Sequence, residues 1–125
     1  MLKTKQIYAS ADPSDGRRIL VARFYPRGVK REHFDDWVRE LAPSPELLRL
    51  YKRGRITPTE YAIQYQLEIN NDRSKEALHK LEHEASTEDV TLLCYEPEGE
   101  FCHRCILKRL ILQGNFRPED IGHYK

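Results

Sequence analysis

Two short apolar runs constrain this chain more than any other feature. Residues 18–24 (Arg-Ile-Leu-Val-Ala-Arg-Phe) and 90–95 (Val-Thr-Leu-Leu-Cys-Tyr) are rich in β-branched and apolar side chains. A strand with one wet face alternates apolar and polar residues, whereas a near-continuous apolar run belongs to a strand covered on both faces. The segment between them carries helical patterns and is long enough for the crossover that parallel strands need. The expectation is an α/β fold: a small layered domain with about three mostly parallel strands packed with helices. In it, 18–24 and 90–95 are parallel neighbours.

The other elements read in the order β-β-α-α-α-α-β-α. Residues 4–9 form a first short strand, followed by turn chemistry at Asp12-Pro13 and Asp15-Gly16. Phe34, Trp37, Val38 and Leu41 recur at i, i+3, i+4 and i+7, which predicts a helix over 32–41. Pro43-Ser44-Pro45 breaks it, and Ser44 caps a second helix running to about Lys52. Thr57-Pro58-Thr59-Glu60 predicts a capping box, with Pro58 at the first helical position. A fourth helix follows from Asp72 or Ser74. The last spans 101–113 with Gly114 just beyond it, where a left-handed C-cap is favoured. One domain over 1–125 is expected, with its core at about 4–113 and a docked or frayed tail from 114 to 125.

At 125 residues, 39% hydrophobic and 33% charged, the chain is long enough for a core without staples and is not disordered in composition. No apolar run approaches the roughly 20 residues of a membrane-spanning helix. The three cysteines, Cys94, Cys102 and Cys105, are odd in number and clustered, unlike a secreted disulfide framework. Free thiols in a reducing, cytoplasmic compartment are the expectation.

The net charge, 21 − 20 = +1, names no partner. It conceals an asymmetry. Residues 17–31 carry Arg17, Arg18, Arg23, Arg27, Lys30 and Arg31 and no acid. Residues 81–101 carry Glu82, Glu84, Glu88, Asp89, Glu96, Glu98 and Glu100 and no Lys or Arg. The structural explanation is solvated surface with ion pairs between the blocks. The functional one is an anion site where strand 18–24 ends, with Arg27 beside Gly28, at which backbone can approach a phosphate.

The segment from Leu92 to Cys105 runs strand, loop, helix start, where α/β proteins bind ligands. Helix N-terminal amides attract anions and depress nearby thiols. Cys102-His103-Arg104-Cys105 places a Cys-x-x-Cys there, the arrangement of thiol redox proteins, but too few strands follow for a thioredoxin-like fold. A zinc site from Cys94, Cys102, Cys105 and His103 would need irregular spacing. For Cys94 the structural explanation is a buried strand residue. For His103 and Arg104 it is an ion-paired helix start. His79 and His83, four apart on one helix, read as an exposed polar face.

Ser14-Asp15-Gly16-Arg17-Arg18-Ile19-Leu20-Val21 with Pro26-Arg27-Gly28, Pro43-Ser44-Pro45, and Leu92-Leu93-Cys94 with Cys102-His103-Arg104 resemble the YeaO-like proteins of domain-of-unknown-function family 488 (DUF488). The motif order spans about residues 4–112. The resemblance implies a compact α/β fold and assigns no reaction. Ala22 stands where the family's strand carries Asp, and Cys105 is not part of the pattern.

The expected function is that of a cytosolic α/β protein binding, or acting on, a phosphate-bearing small molecule or nucleotide at the C-terminal edge of the strands. Arg23, Arg27, Gly28, Arg104 and Cys94 are the expected ligand-binding residues, His103 and Cys102 the expected catalytic ones, with no metal and no cofactor named. The loop acids Glu96, Glu98 and Glu100 would gate the site or pair with its arginines. The alternatives are a nucleic-acid-binding regulator, disfavoured by a pI near 7.7 and by the absence of a hairpin wing after the helices, and a cysteine-based redox or zinc protein. No membrane partner is expected. Whether the chain is an enzyme, and in what oligomeric state, is open at this level.

Overall fold

The computed structural model describes residues 1–97 and 100–124. Strands β1 (Leu2–Gln6), β2 (Arg17–Leu20), β3 (Asp36–Trp37) and β4 (Val90–Cys94) form one parallel sheet in the order β1-β4-β2-β3. Helices α1 (Pro45–Lys52), α2 (Pro58–Glu68) and α3 (Asp72–Thr87) connect β3 to β4, and α4 (His103–Gln113) follows β4. The chain is a small α/β fold, as the two apolar runs predict.

Parity along the strands sorts the core into two layers. Leu2, Ile19, Val21, Val90, Leu92 and Cys94 join the helices in one cluster. Ile7, Leu20, Ala22, Phe34 and Leu93 form a second on the opposite face, with Val29, Trp37 and Tyr95 against it. That face is covered by the loop segment 23–38 rather than by a helix. Coverage on both faces explains the absence of polar alternation in β4, all five residues of which are buried.

Strands β2 and β4 are parallel neighbours, pairing Ile19 with Leu92 and Leu20 with Leu93. The ladder continues one bond past β2, from the Val21 amide to the Leu93 carbonyl at 2.9 Å. Two boundaries differ from expectation. The first strand is Leu2–Gln6, not 4–9, because its backbone pairs with β4 from Leu2 opposite Val90 to Gln6 opposite Cys94, and its Lys3 and Lys5 side chains reach the buried Asp15 at 3.1 and 2.9 Å. The second stops at Leu20, beyond which Arg23 turns its guanidinium to the carbonyls of Pro43 and Ala42.

The helix expected over 32–41 does not form. That stretch is a 3-10 turn (Arg31–His33), the edge strand β3 and a second 3-10 turn (Arg39–Leu41). Two of its amides go to β2 instead of to local carbonyls: Asp35 to Arg18 at 2.8 Å and Val38 to Leu20 at 2.8 Å. The apolar spacing has a different cause, since Phe34 enters one core layer and Leu41 the other. Trp37 is held at the edge by its indole N–H on the Ala22 carbonyl, 2.7 Å away, with Arg39 over its ring.

The remaining helix signals act as expected. Ser44 accepts from the Leu47 amide, and Thr57 and Glu60 close a reciprocal capping box. Gly114 ends α4 with φ +81°, and Asn71, placed by the sequence only at the end of the preceding helix, caps α3. The segment after α4 is docked: Phe116 and Ile121 are buried and Asp120 pairs with Arg109 at 3.3 Å. Among the described residues no helix is long and apolar enough to cross a membrane.

Candidate functional site

Parallel order sends the ends of β2 and β4 to the same sheet edge, where α4 begins. Between them and α1 lies a cavity of about 260 Å³. Ala22, Arg23 and Phe24 line it from the exit of β2, and Cys94, Tyr95 and Glu96 from the exit of β4. Pro45, Leu48, Arg49 and Lys52 line it from one face of α1, and His103 from the first turn of α4. Arg49 and Lys52 are exposed. Cys94 and His103 are buried at its floor.

The floor is a connected polar cluster. The Cys94 thiol donates to Glu96 Oε2 at 3.1 Å, and its Sγ lies 3.3 Å from Cys102 Sγ. Arg104, 1% exposed, donates through Nη1 to Cys94 Sγ at 3.2 Å and to the Lys5 carbonyl at 3.0 Å. Its Nη2 donates to the Pro97 carbonyl at 2.8 Å. This guanidinium ties β1, β4 and the loop after β4 together, and a buried charge needs such partners.

His103 Nε2 lies 2.6 Å from the Val21 carbonyl, an acceptor, so Nε2 carries the hydrogen. Its Nδ1 is then a lone-pair acceptor, buried and without a hydrogen-bond partner among the described residues. Burial pushes the His103 pKa below its ordinary value, and nearby Arg104 and Arg23 add to that while Glu96 opposes it. The ring is therefore neutral near pH 7, with a basic nitrogen free to accept.

The three thiols differ. Burial pushes Cys102 well above the ordinary range. Its hydrogen bond with Cys102 and then burial push Cys105 up as well. Neither lines the cavity, whereas Cys94 does. The donor atoms of Cys94, Glu96 and Cys102 lie within 4.8 Å of one another and could hold a soft cation. The Arg104 guanidinium against the Cys94 sulfur opposes that.

The sequence-expected site residues thus divide. Arg23, Cys94 and His103 meet in the cavity, and Arg104 and Cys102 lie behind Cys94. Arg27 and Gly28 do not join them. Both are exposed; the Arg27 carbonyl accepts from Tyr8, and Gly28 borders a separate depression with Ile7, Tyr8, Val29, Lys30, Glu32 and His33. Glu96 bonds to Cys94 rather than to an arginine, Glu100 is exposed, and Glu98 lies outside the described residues. The ion pairing between charge blocks is carried by Arg17, 3.0 Å from Glu84. Arg49 and Lys52 were not foreseen as site residues. Positions 45, 48, 49 and 52 share one helix face at i, i+3, i+4 and i+7, and that spacing was the available signal.

A family model described as "Active DUF488-N3 subclade" matches residues 2–115. The chain is 30% identical over 112 residues to the uncharacterized protein Rv3073c of Mycobacterium tuberculosis, covering 88% of this chain and 92% of that one. A Mycobacterium bovis protein, Mb3100c, matches to the same extent. The uncharacterized protein YeaO of Escherichia coli is 36% identical over 70 residues, 54% of this chain and 61% of its own. No solved structure matches. With the family model spanning every strand and all four helices, the chain belongs to the DUF488 family, in its DUF488-N3 subclade.

Proposed function

We propose that this protein binds a phosphate-bearing small molecule in the cavity between β2, β4 and α1 and acts on it through Cys94. The observation that carries this reading is the convergence of Arg49 and Lys52 on one cavity that also holds Cys94 and His103. Two exposed cations, Arg49 and Lys52, against the single acid Glu96 favour an anion, while the Arg23 guanidinium is held on the Pro43 and Ala42 carbonyls. The first amides of α4 lack intrahelical partners and face the same sheet edge.

Each group has a task. Glu96 takes the Cys94 Sγ proton across its existing 3.1 Å contact. Arg104 stands as counter-charge against the sulfur. The sulfur bonds to phosphorus as the bond from phosphorus to the leaving oxygen breaks, and Glu96 returns the proton to that oxygen; a water then attacks phosphorus, the phosphorus–sulfur bond breaks, and phosphate leaves as the water's proton restores the thiol. His103 Nδ1 accepts a hydrogen bond from a hydroxyl of the bound molecule.

Thermal shift with inorganic phosphate and a panel of nucleotides and sugar phosphates tests the binding. A compound at about 100 times its Kd stabilises by about 2.7 kcal/mol, a shift of several degrees in a chain this size. The double variant Arg49→Ala/Lys52→Ala, altered only at exposed positions, should reduce the shift at equal concentration. No shift with any phosphate-bearing compound, or an equal shift in the double variant, overturns the reading. Cys94→Ser should retain binding and abolish turnover.

A further inference from the structure

We infer that Cys94 and Cys102 form an oxidisable pair, in which Cys102 converts a peroxide-oxidised Cys94 into a reversible disulfide. The inference rests on Cys94 being the reactive thiol of the cavity. The nucleophile proposed above uses only one of the buried sulfurs, and the second is already in contact with it. Cys94 ends β4 and Cys102 immediately precedes α4, and their sulfurs are 3.3 Å apart with both residues buried. A disulfide at about 2.05 Å needs the sulfurs to approach by only about 1.2 Å.

The chemistry balances with one hydroperoxide. The Cys94 sulfur attacks one oxygen of hydrogen peroxide, the O–O bond breaks, and the departing hydroxide takes the thiol proton, relayed through Glu96, to leave as water. Cys94 is then a sulfenic acid. The Cys102 sulfur attacks the Cys94 sulfur, the S–O bond breaks, and hydroxide leaves with the Cys102 proton as a second water. Two thiols lose two electrons and the peroxide gains them. Cys94 borders the cavity but is itself fully buried, so peroxide, close to water in size, reaches its sulfur through transient local opening of the cavity wall.

Geometry also selects the partner. Cys105 Sγ is directed at the Glu100 carbonyl, 3.8 Å away, and its contact within the cluster is with Cys102 rather than Cys94. Cys102 therefore stands between Cys94 and Cys105. With Cys102 present, oxidation of Cys94 stops at a disulfide that thiols reduce. Without it, the sulfenic acid proceeds to sulfinic acid, which they do not.

The test uses the full chain treated with hydrogen peroxide and followed by intact mass and peptide mapping. The wild-type protein should lose about 2 Da, map to a Cys94–Cys102 bridge, and return to its starting mass with dithiothreitol. Cys102→Ala replaces a small buried side chain by a smaller apolar one. It should instead gain about 32 Da at Cys94, at least about tenfold faster than wild type. Cys105→Ala should behave as wild type. A Cys94–Cys105 bridge, or equal sulfinic acid in wild type and Cys102→Ala, overturns the inference. The wild-type mapping decides this even if Cys102→Ala fails to fold. Phosphate binding by the reduced protein is measured on the same sample. A bridge without phosphate binding sinks only the cavity reading, and phosphate binding without a bridge sinks only this one.

Discussion

Asp15 shows how much one residue organises. It is fully buried and pairs with Lys3, Lys5 and Arg18, while its carboxylate also accepts from the Asp12 amide. Burial pushes its pKa up, but the hydrogen bonds from Lys5, the Asp12 amide, Lys3 and Arg18 outweigh that and hold it well below the usual carboxylate range. In the unfolded chain the group titrates near about 3.9. Between the two values the unfolded chain binds more protons, so stability rises with pH there. Asp15's contribution is complete above about pH 5 and is lost as pH falls through its folded value. Asp15→Asn leaves three cations facing a neutral group and should cost about 3 kcal/mol at pH 7 in urea unfolding. It should also flatten the slope of stability against pH below pH 5. His103 acts in the same direction at higher pH, because burial lowers its pKa. The unfolded histidine protonates near about 6.5, so stability falls as pH drops through that window. His103→Gln should remove this upper part of the pH dependence and leave the acid part intact, measured on the same urea curves.

Among the elements, the turns that carry specific side-chain chemistry were legible in the sequence. The capping box at Thr57 and Glu60 is a local interaction between residues three apart, so no distant contact can displace it. The 32–41 stretch was not legible, because its amides have partners on β2 that no local pattern announces. The junction of β2 with the segment entering β4 depends on Gly16. Its φ is +63°, and a Cβ there would sit 2.1 Å from the Asp89 carbonyl oxygen. The Arg17 amide also donates to that carbonyl at 2.9 Å. Gly16→Ala must therefore strain the backbone and push Asp89 away, and should cost about 2–3 kcal/mol in chemical denaturation. Gly28 has a similar φ, +76°, and open space around it. Gly28→Ala should cost about 1 kcal/mol, from the backbone conformation alone. The pair separates close approach from conformational strain.

At the scale of the whole molecule, the segment after Gly114 closes one end of the core. Phe116 packs against Phe101 with ring centroids 5.8 Å apart, and Ile121 is buried in the same cluster. Removing residues 115–125 exposes apolar surface equivalent to two buried side chains and should cost about 3–5 kcal/mol. A thermal melt should show a shift of well over ten degrees on that scale. An unchanged melting temperature would mean that the segment only rests on the surface. The sequence alone determined that β2 and β4 lie side by side and parallel. Apolar continuity demands cover on both faces, and the intervening helices supply the crossover. It also located Arg23, Cys94 and His103 at strand ends and a helix start, because the order of elements along a parallel sheet sends all such ends to one edge. It did not determine that Arg27 would point away, that Arg49 and Lys52 would arrive from α1, or that Glu96 would bind the Cys94 thiol. Those follow from how α1 docks and how loops fold over the sheet edge. Both are decided by packing between residues far apart in the chain, which no periodicity within a segment records.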